Sequence, residues 1–155
     1  MAQPTRAAAG ASGISPYIVV SDAAAAIDFY KRAFRAEELF RLVDPASGKI
    51  GHAELRIENS VLMISDEYPD FGALSPDSLG GTAVKLQMDV RDAAAVVQSA
   101  INAGAIVLRK LDVQFHGCKQ ALIADPFGHS WFISEKVEDV PPSEMQARWN
   151  KMGAG

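Results

Sequence analysis

The chain has 155 residues, of which 48% are apolar and 22% are charged, and its formal net charge is −4. This length suits one domain or two small halves that pack closely, and the apolar fraction is sufficient for a buried core. The negative net charge disfavours binding to nucleic acid or to an anionic membrane surface.

The N-terminal residues 1–13 are rich in alanine and glycine and contain no apolar stretch of the kind that a secretion signal requires. We interpret them as a disordered tail. No apolar run reaches the roughly 20 residues of a membrane-spanning helix, and the single cysteine, Cys118, cannot form an internal disulfide. These features predict a cytoplasmic protein that does not enter membranes.

Residues 14–66 have the pattern of a βαβββ module. A β-rich segment at 15–20 precedes Ser21 and Asp22, either of which suits a helix N-cap, and the alanine-rich stretch 23–34 has apolar residues at helical spacing. Strand-like segments separated by turn-forming residues follow at 38–43, 50–57 and 61–65. We expect the helix to pack on one face of a sheet.

The same order returns after a segment rich in proline, glycine, serine and acidic residues, which predicts a linker over 67–81. The second module, 82–136, is predicted to contain a strand at 83–90, a helix at 93–103 ended by Gly104, and strands at 106–111, 121–124 and 130–134. The halves also share sequence, VSDAAA at 20–25 and VRDAAA at 90–95. Internal similarity of this kind predicts a repeated structural unit.

The last segment, 137–155, is predicted to be a helical tail. Ser143 and Gln146 have the spacing of a capping box. Apolar residues follow at helical spacing, namely Met145, Trp149 and Met152. This stripe needs a surface to cover, and the sequence leaves open whether that surface lies on the same chain or on a partner.

Three segments of the chain are typical of one protein superfamily. They are Ser15-Pro16-Tyr17 with the helix residues Ile27-Asp28-Phe29-Tyr30, the strand Gly51-His52-Ala53-Glu54-Leu55-Arg56-Ile57, and the hairpin Asp125-Pro126-Phe127-Gly128-His129-Ser130-Trp131. In this order, and with the internal repeat, they resemble the vicinal-oxygen-chelate superfamily of glyoxalases, bleomycin-resistance proteins and dioxygenases. The resemblance implies an α+β fold in which two βαβββ modules form a cupped mixed sheet around a cavity, commonly completed in a homodimer. Here a C-terminal helix follows.

Metal-dependent members of this superfamily place one ligand, usually His or Glu, on each of four strands. The matching positions in this chain are Ser15, Met63, Lys85 and Phe132, which provide no imidazole or carboxylate. We therefore expect no metal at the usual site and no cofactor. The alternative is a displaced divalent metal, held by His52, Glu54 and His116.

Strand alternation indicates which side chains face the cavity that the resemblance implies. The predicted ligand-binding residues are His52, Glu54 and Arg56 on one strand, Lys85 and Gln87 on another, and Tyr17, His116 and Trp131 nearby. His52 and Glu54 are also the candidate catalytic pair, because they lie on one strand face and can act as acid and base. The alternative is that these polar residues form solvated faces of half-exposed strands.

We predict a protein that binds a small organic molecule in the cavity of a homodimer without the usual metal. This function is similar to that of the bleomycin-resistance branch, where sequestration of the antibiotic gives resistance. The alternative is a lyase, isomerase or dioxygenase of the same superfamily that uses a metal or the pair His52 and Glu54. Fold alone does not decide between these activities, so the sequence leaves open whether the protein is an enzyme.

Overall fold

The computed structural model describes residues 13–154, so the predicted tail lies outside the described residues except for Gly13. The first module consists of β1 (Tyr17–Val20), α1 (Ala23–Phe34), β2 (Glu37–Val43), β3 (Ile50–Ile57) and β4 (Ser60–Asp66). The linker contains a 3-10 turn (Pro69–Phe71) and the short helix α2 (Pro76–Leu79). The second module consists of β5 (Lys85–Asp89), α3 (Ala93–Ala103), β6 (Ile106–Val113), β7 (Cys118–Ala124) and β8 (Ser130–Lys136), and α4 (Pro142–Gly153) follows. The predicted fold class is confirmed.

Each module forms its own four-stranded mixed sheet. The strand orders are β1-β4-β3-β2 and β5-β8-β7-β6. In both sheets the first strand of the module runs parallel to the last one, and the other neighbours are antiparallel. The repeat seen in the sequence is therefore a repeat of topology as well.

The two long helices begin in the same way. Asp22 and Asp92 are the N-caps, and each carboxylate accepts a hydrogen bond of 3.0 Å from the amide three residues later. A second carboxylate accepts a hydrogen bond from the first amide of each helix. In α1 this acceptor is Asp66 of β4, at 2.7 Å, and in α3 it is Glu135 of β8, at 2.9 Å. These acceptors satisfy amides that a helix start leaves unpaired, and their negative charge is favourable at that end.

The core of the protein lies between the two sheets. There α1 packs against α3, and Trp131 of β8 contacts Tyr30 and Phe34 of α1 with ring centroids 5.5 and 4.9 Å apart. Leu55 of β3 and Ile133 of β8 face this layer and are fully buried. No strand of one sheet contacts a strand of the other within residues 13–154. Each sheet therefore turns one face to the helices and an outer face away from them.

A buried carboxylate joins the two modules. Asp125, which is 5% exposed, accepts hydrogen bonds from the Tyr30 hydroxyl at 2.5 Å and from the Trp131 indole N–H at 3.0 Å. The backbone amides of Phe127 and His129 also donate to it. Burial, reinforced by the neighbouring Asp125 charge, raises the pKa of Tyr30 well above its ordinary value. The hairpin motif that carries the family resemblance thus also connects the modules.

The C-terminal helix begins without the predicted capping box. Pro141 occupies the N-cap position, Pro142 is the first helical residue, and no side chain caps the helix. Proline suits the first helical position because it has no amide hydrogen to satisfy and its φ is already helical. The prediction of a cap formed by Ser143 and Gln146 is therefore wrong. None of the helices between residues 13 and 154 is long and apolar enough to cross a membrane.

The apolar stripe of α4 is only partly covered by its own chain. The Trp149 ring contacts Phe115, with centroids 5.3 Å apart. Arg148 donates two hydrogen bonds to the carboxylate of Glu138, at 2.8 and 3.1 Å, and so ties the helix to the segment before it. Trp149 and Met152 nevertheless remain 58% and 61% exposed, so most of this stripe is available to a partner.

Candidate functional site

Three of the predicted residues meet on the outer face of the first sheet. The Tyr17 hydroxyl lies 3.0 Å from Nδ1 of His52, and Nε2 of His52 lies 3.3 Å from a carboxylate oxygen of Glu54. Strand pairing produces this arrangement, because Tyr17 of β1 and Glu54 of β3 both register with Met63 of the intervening β4. His52 lies two residues from Glu54 and so shares its face. We call Tyr17, His52 and Glu54 the outer triad.

The environment of the outer triad sets the direction of its hydrogen bonds. Glu54 is 7% exposed, whereas Tyr17 is 48% exposed. With an ionised Glu54, which only accepts hydrogen bonds, a neutral His52 carries its proton on Nε2 and accepts at Nδ1 from the Tyr17 hydroxyl, which also lies 3.5 Å from the carbonyl oxygen of Gly51. The triad can therefore move a proton from Tyr17 to His52, with Glu54 stabilising the imidazolium that forms.

A cleft of about 570 Å³ opens beside the outer triad. Its walls include Tyr17, Val19, Gly51 and Ser65 from the first sheet and Tyr68 and Phe71 from the linker. A volume of this size, with mostly apolar walls and a few polar groups, is typical of small-molecule sites. Only Tyr17 belongs to both the outer triad and the cleft wall, so its side chain connects the two.

The linker supplies one wall of the cleft. The Tyr68 ring lies 5.3 Å from the Lys49 ammonium, and backbone hydrogen bonds between Tyr68 and Ala73 close the turn. Gly51 lies on the side of the cleft opposite Tyr68 and leaves the space between them open, because it has no side chain. A Cβ at Gly51 would already lie within 3.6 Å of the Tyr68 hydroxyl. The patterns in the sequence did not predict this wall. The available signal was the pair of aromatic residues, Tyr68 and Phe71, in a linker rich in proline, glycine, serine and acidic residues.

Three predicted polar residues are exposed on the outer faces without joining the outer triad. Arg56 of β3 pairs with Glu37 at 3.1 Å. Lys85 and Gln87 lie on the outer face of the second sheet, where Gln87 donates to Asp89 at 3.0 Å. The two outer faces lie on opposite sides of the helix layer. One chain therefore does not bring Lys85 and Gln87 to the outer triad.

The remaining two predicted residues are elsewhere in the molecule. His116 lies in the β6–β7 turn, where its ring meets that of Phe115 at 5.2 Å. Trp131 is 5% exposed and belongs to the core between the modules. Because side chains alternate along a strand, Trp131 shares the helix-facing side of β8 with Ile133, so it does not line an outer cavity.

The donor atoms at the superfamily's usual metal positions do not fit a divalent cation. Met63 and Phe132 occupy equivalent outer positions in the two sheets, paired with Tyr17 and Gln87. They provide a thioether and a phenyl ring, where His or carboxylate ligands are needed. Among residues 13–154, no three side chains of His, Cys, Asp or Glu lie close enough together to hold a metal.

Comparison with known proteins agrees with this architecture. The family model described as the Glyoxalase/Bleomycin resistance protein/Dioxygenase superfamily matches residues 12–133. An uncharacterized protein of Mycobacterium bovis is 43% identical over 145 residues, which is 92% of this chain and 95% of that protein. The solved structure of an Arabidopsis thaliana protein, At5g48480, is 25% identical with a TM-score of 0.64, covering 81% of this chain and 99% of that one. TioX from Micromonospora sp. ML1 is 26% identical with a TM-score of 0.62, covering 82% and 100%. The chain belongs to the glyoxalase/bleomycin resistance protein/dioxygenase superfamily.

Proposed function

We propose that the protein binds a small planar organic molecule in the cleft beside the outer triad. The observation that carries this proposal is the combination of a volume of about 570 Å³ with aromatic walls from Tyr17, Tyr68 and Phe71. Aromatic rings provide stacking surfaces for a planar ligand, and the hydroxyl groups of Tyr17 and Ser65 orient it. Binding proceeds without the superfamily's usual metal, because the four corresponding positions carry no suitable ligands.

We also infer that a second copy of the chain completes the site. Apolar side chains are exposed on edge strands of both sheets, namely Leu42 and Val43 of β2 and Ile106 and Leu108 of β6. Burying such side chains between two copies is favourable, at about 25 cal/mol for each Å² of apolar surface. Native mass spectrometry is expected to give twice the chain mass of 16.6 kDa. A monomer at micromolar concentration would contradict the dimer.

Gly51→Leu is expected to remove binding while leaving the fold intact. The new side chain would occupy the cleft, its Cβ would meet no other atom closer than 3.6 Å, and the backbone at Gly51 is not left-handed. We expect the affinity for any ligand of the cleft to fall by at least about tenfold, the equivalent of about 1.4 kcal/mol. Equilibrium dialysis against a panel of planar aromatic compounds measures this, with a thermal melt to establish folding.

Ala94→Leu is the matched control for this substitution. Ala94 is an exposed residue of α3, so the variant adds the same side chain away from the cleft and should bind like the wild type. Equal affinity of Gly51→Leu and wild type would place the binding site elsewhere. A folded wild-type protein that binds no compound of the panel would refute the proposed function.

A further inference from the structure

We propose that the outer triad makes the cleft selective for ligands with an acidic hydroxyl group, such as phenols and enols, and that it takes up the ligand's proton on binding. This inference rests on the proposed binding function and adds the chemical class of the ligand. It is carried by the chain of contacts from Tyr17 through His52 to Glu54, and by the position of Tyr17 in the cleft wall.

The hydrogen bonds of the triad leave an acceptor facing the ligand. When Tyr17 donates its hydroxyl hydrogen to Nδ1 of a neutral His52, the lone pairs of its oxygen can accept a hydrogen bond from a donor in the cleft. A ligand hydroxyl placed there meets a proton acceptor that already contacts a base. A methyl ether of the same ligand has no hydrogen to donate, so it loses this interaction.

Proton transfer through Tyr17 needs no other reactant. The O–H bond of the ligand breaks, its electron pair stays on the ligand oxygen, and the proton forms a new O–H bond at Tyr17. At the same time the original hydroxyl proton of Tyr17 moves to Nδ1 of His52. The products are a ligand anion that accepts a hydrogen bond from Tyr17 and a His52 imidazolium between Tyr17 and Glu54.

The charges around the triad favour this product. The Glu54 carboxylate lies 3.3 Å from Nε2 of His52 and is 7% exposed, so its attraction to the imidazolium is only weakly screened by water. Asp44 at the cleft opposes the anion, but its carboxylate already accepts hydrogen bonds from the Ser47 hydroxyl and the Ala46 amide.

Aromatic side chains around the triad suit the ring of a phenol. The rings of Tyr17 and Phe40 flank His52, with centroids 5.4 and 5.7 Å from that of the imidazole. Across the cleft, Phe71 is 88% exposed and has much of its ring surface free within the described part of the chain. A ligand ring can therefore stack in the cleft while its hydroxyl points to Tyr17.

The test uses para-nitrophenol, because its anion absorbs visible light and its neutral form does not. The matched probe is para-nitroanisole, in which a methyl group replaces the hydroxyl hydrogen. At a pH equal to the pKa of the phenol in water, where half of the free phenol is still protonated, we expect wild-type protein to increase the absorption of the anion. We also expect it to bind the phenol about tenfold more tightly than the anisole, because hydrogen bonds to charged groups are the stronger ones.

Two variants separate proton uptake from simple packing. Tyr17→Phe keeps the ring but has no hydroxyl, and His52→Gln keeps a polar side chain that cannot take up a proton. Both should lose the absorption of the anion and bind the two probes with nearly equal affinity. Arg32→Gln, an exposed change on α1, should behave like the wild type. If His52→Gln fails to fold, Tyr17→Phe decides the question.

The outcomes distinguish the two proposals. Wild-type protein that binds para-nitrophenol without increasing the anion's absorption would refute proton uptake and leave the binding function intact. If folded Tyr17→Phe still increases the absorption of the anion, proton uptake through Tyr17 is also refuted, and the binding function again remains intact. Folded wild-type protein that binds neither probe would contradict both proposals.

Discussion

Asp125→Ala is expected to lower the free energy of unfolding by about 4 kcal/mol or more, because each buried donor left without an acceptor costs about 1–3 kcal/mol. Four donors lose their acceptor, namely the Tyr30 hydroxyl, the Trp131 indole and the amides of Phe127 and His129. A domain of this size is stable by about 5–15 kcal/mol in total. Urea unfolding followed by circular dichroism measures the loss of stability. A variant that is unfolded without urea would also agree with the predicted loss.

Asp92→Ala provides the matched control for Asp125→Ala. Asp92 also accepts a backbone hydrogen bond, as the N-cap of α3, but it lies at the exposed start of the helix. Loss of an N-cap costs about 1 kcal/mol. If Asp125→Ala costs no more than Asp92→Ala, the buried network does not hold the modules together.

Gly128→Ala is expected to destabilise the protein by about 2–5 kcal/mol, from left-handed strain of about 1–2 kcal/mol and overpacking of about 1–3 kcal/mol. Gly128 has a φ of +89° in the β7–β8 hairpin, and a Cβ there would lie 2.7 Å from the Cβ of Pro76 in α2. The hairpin and the linker helix must then move apart. Thermal and urea unfolding of the variant measure the cost.

Gly48→Ala separates the two contributions at Gly128. Gly48 has a φ of +74° in the β2–β3 turn, and a Cβ there would meet nothing within 4 Å. This variant should show only the conformational cost of about 1–2 kcal/mol. Equal losses in the two variants would mean that the contact with Pro76 carries no energy.

Much of the local structure could be predicted from the sequence. The bounds of α1, α3 and β3 agree with the predicted ones, and Asp22, one of the two residues predicted to suit the N-cap, caps α1. These features depend on residues close together in the chain, through apolar periodicity and backbone hydrogen bonds of the helix start. The VSDAAA and VRDAAA repeat likewise reflects two helix starts of the same design.

Strand ends were less predictable. β7 begins at Cys118 rather than at residue 121, and β6 continues to Val113 rather than ending at 111. Three of the five extra residues are polar, namely Asp112, Lys119 and Gln120, and their place in the sheet depends on pairing with the neighbouring strand. Arg109 of β6, for example, donates to Gln120 of β7 at 2.7 Å. A pattern within one strand does not contain such a contact.

For the candidate site, the sequence by itself determined that His52 and Glu54 share a strand face, because side chains alternate along a strand. Only the tertiary structure decided that Tyr17 joins them, since this contact requires the pairing of β1 and β3 with β4. It also placed Trp131 in the core and Lys85 on the opposite sheet. These positions depend on how α1 and α3 pack between the sheets, which involves residues far apart in the chain.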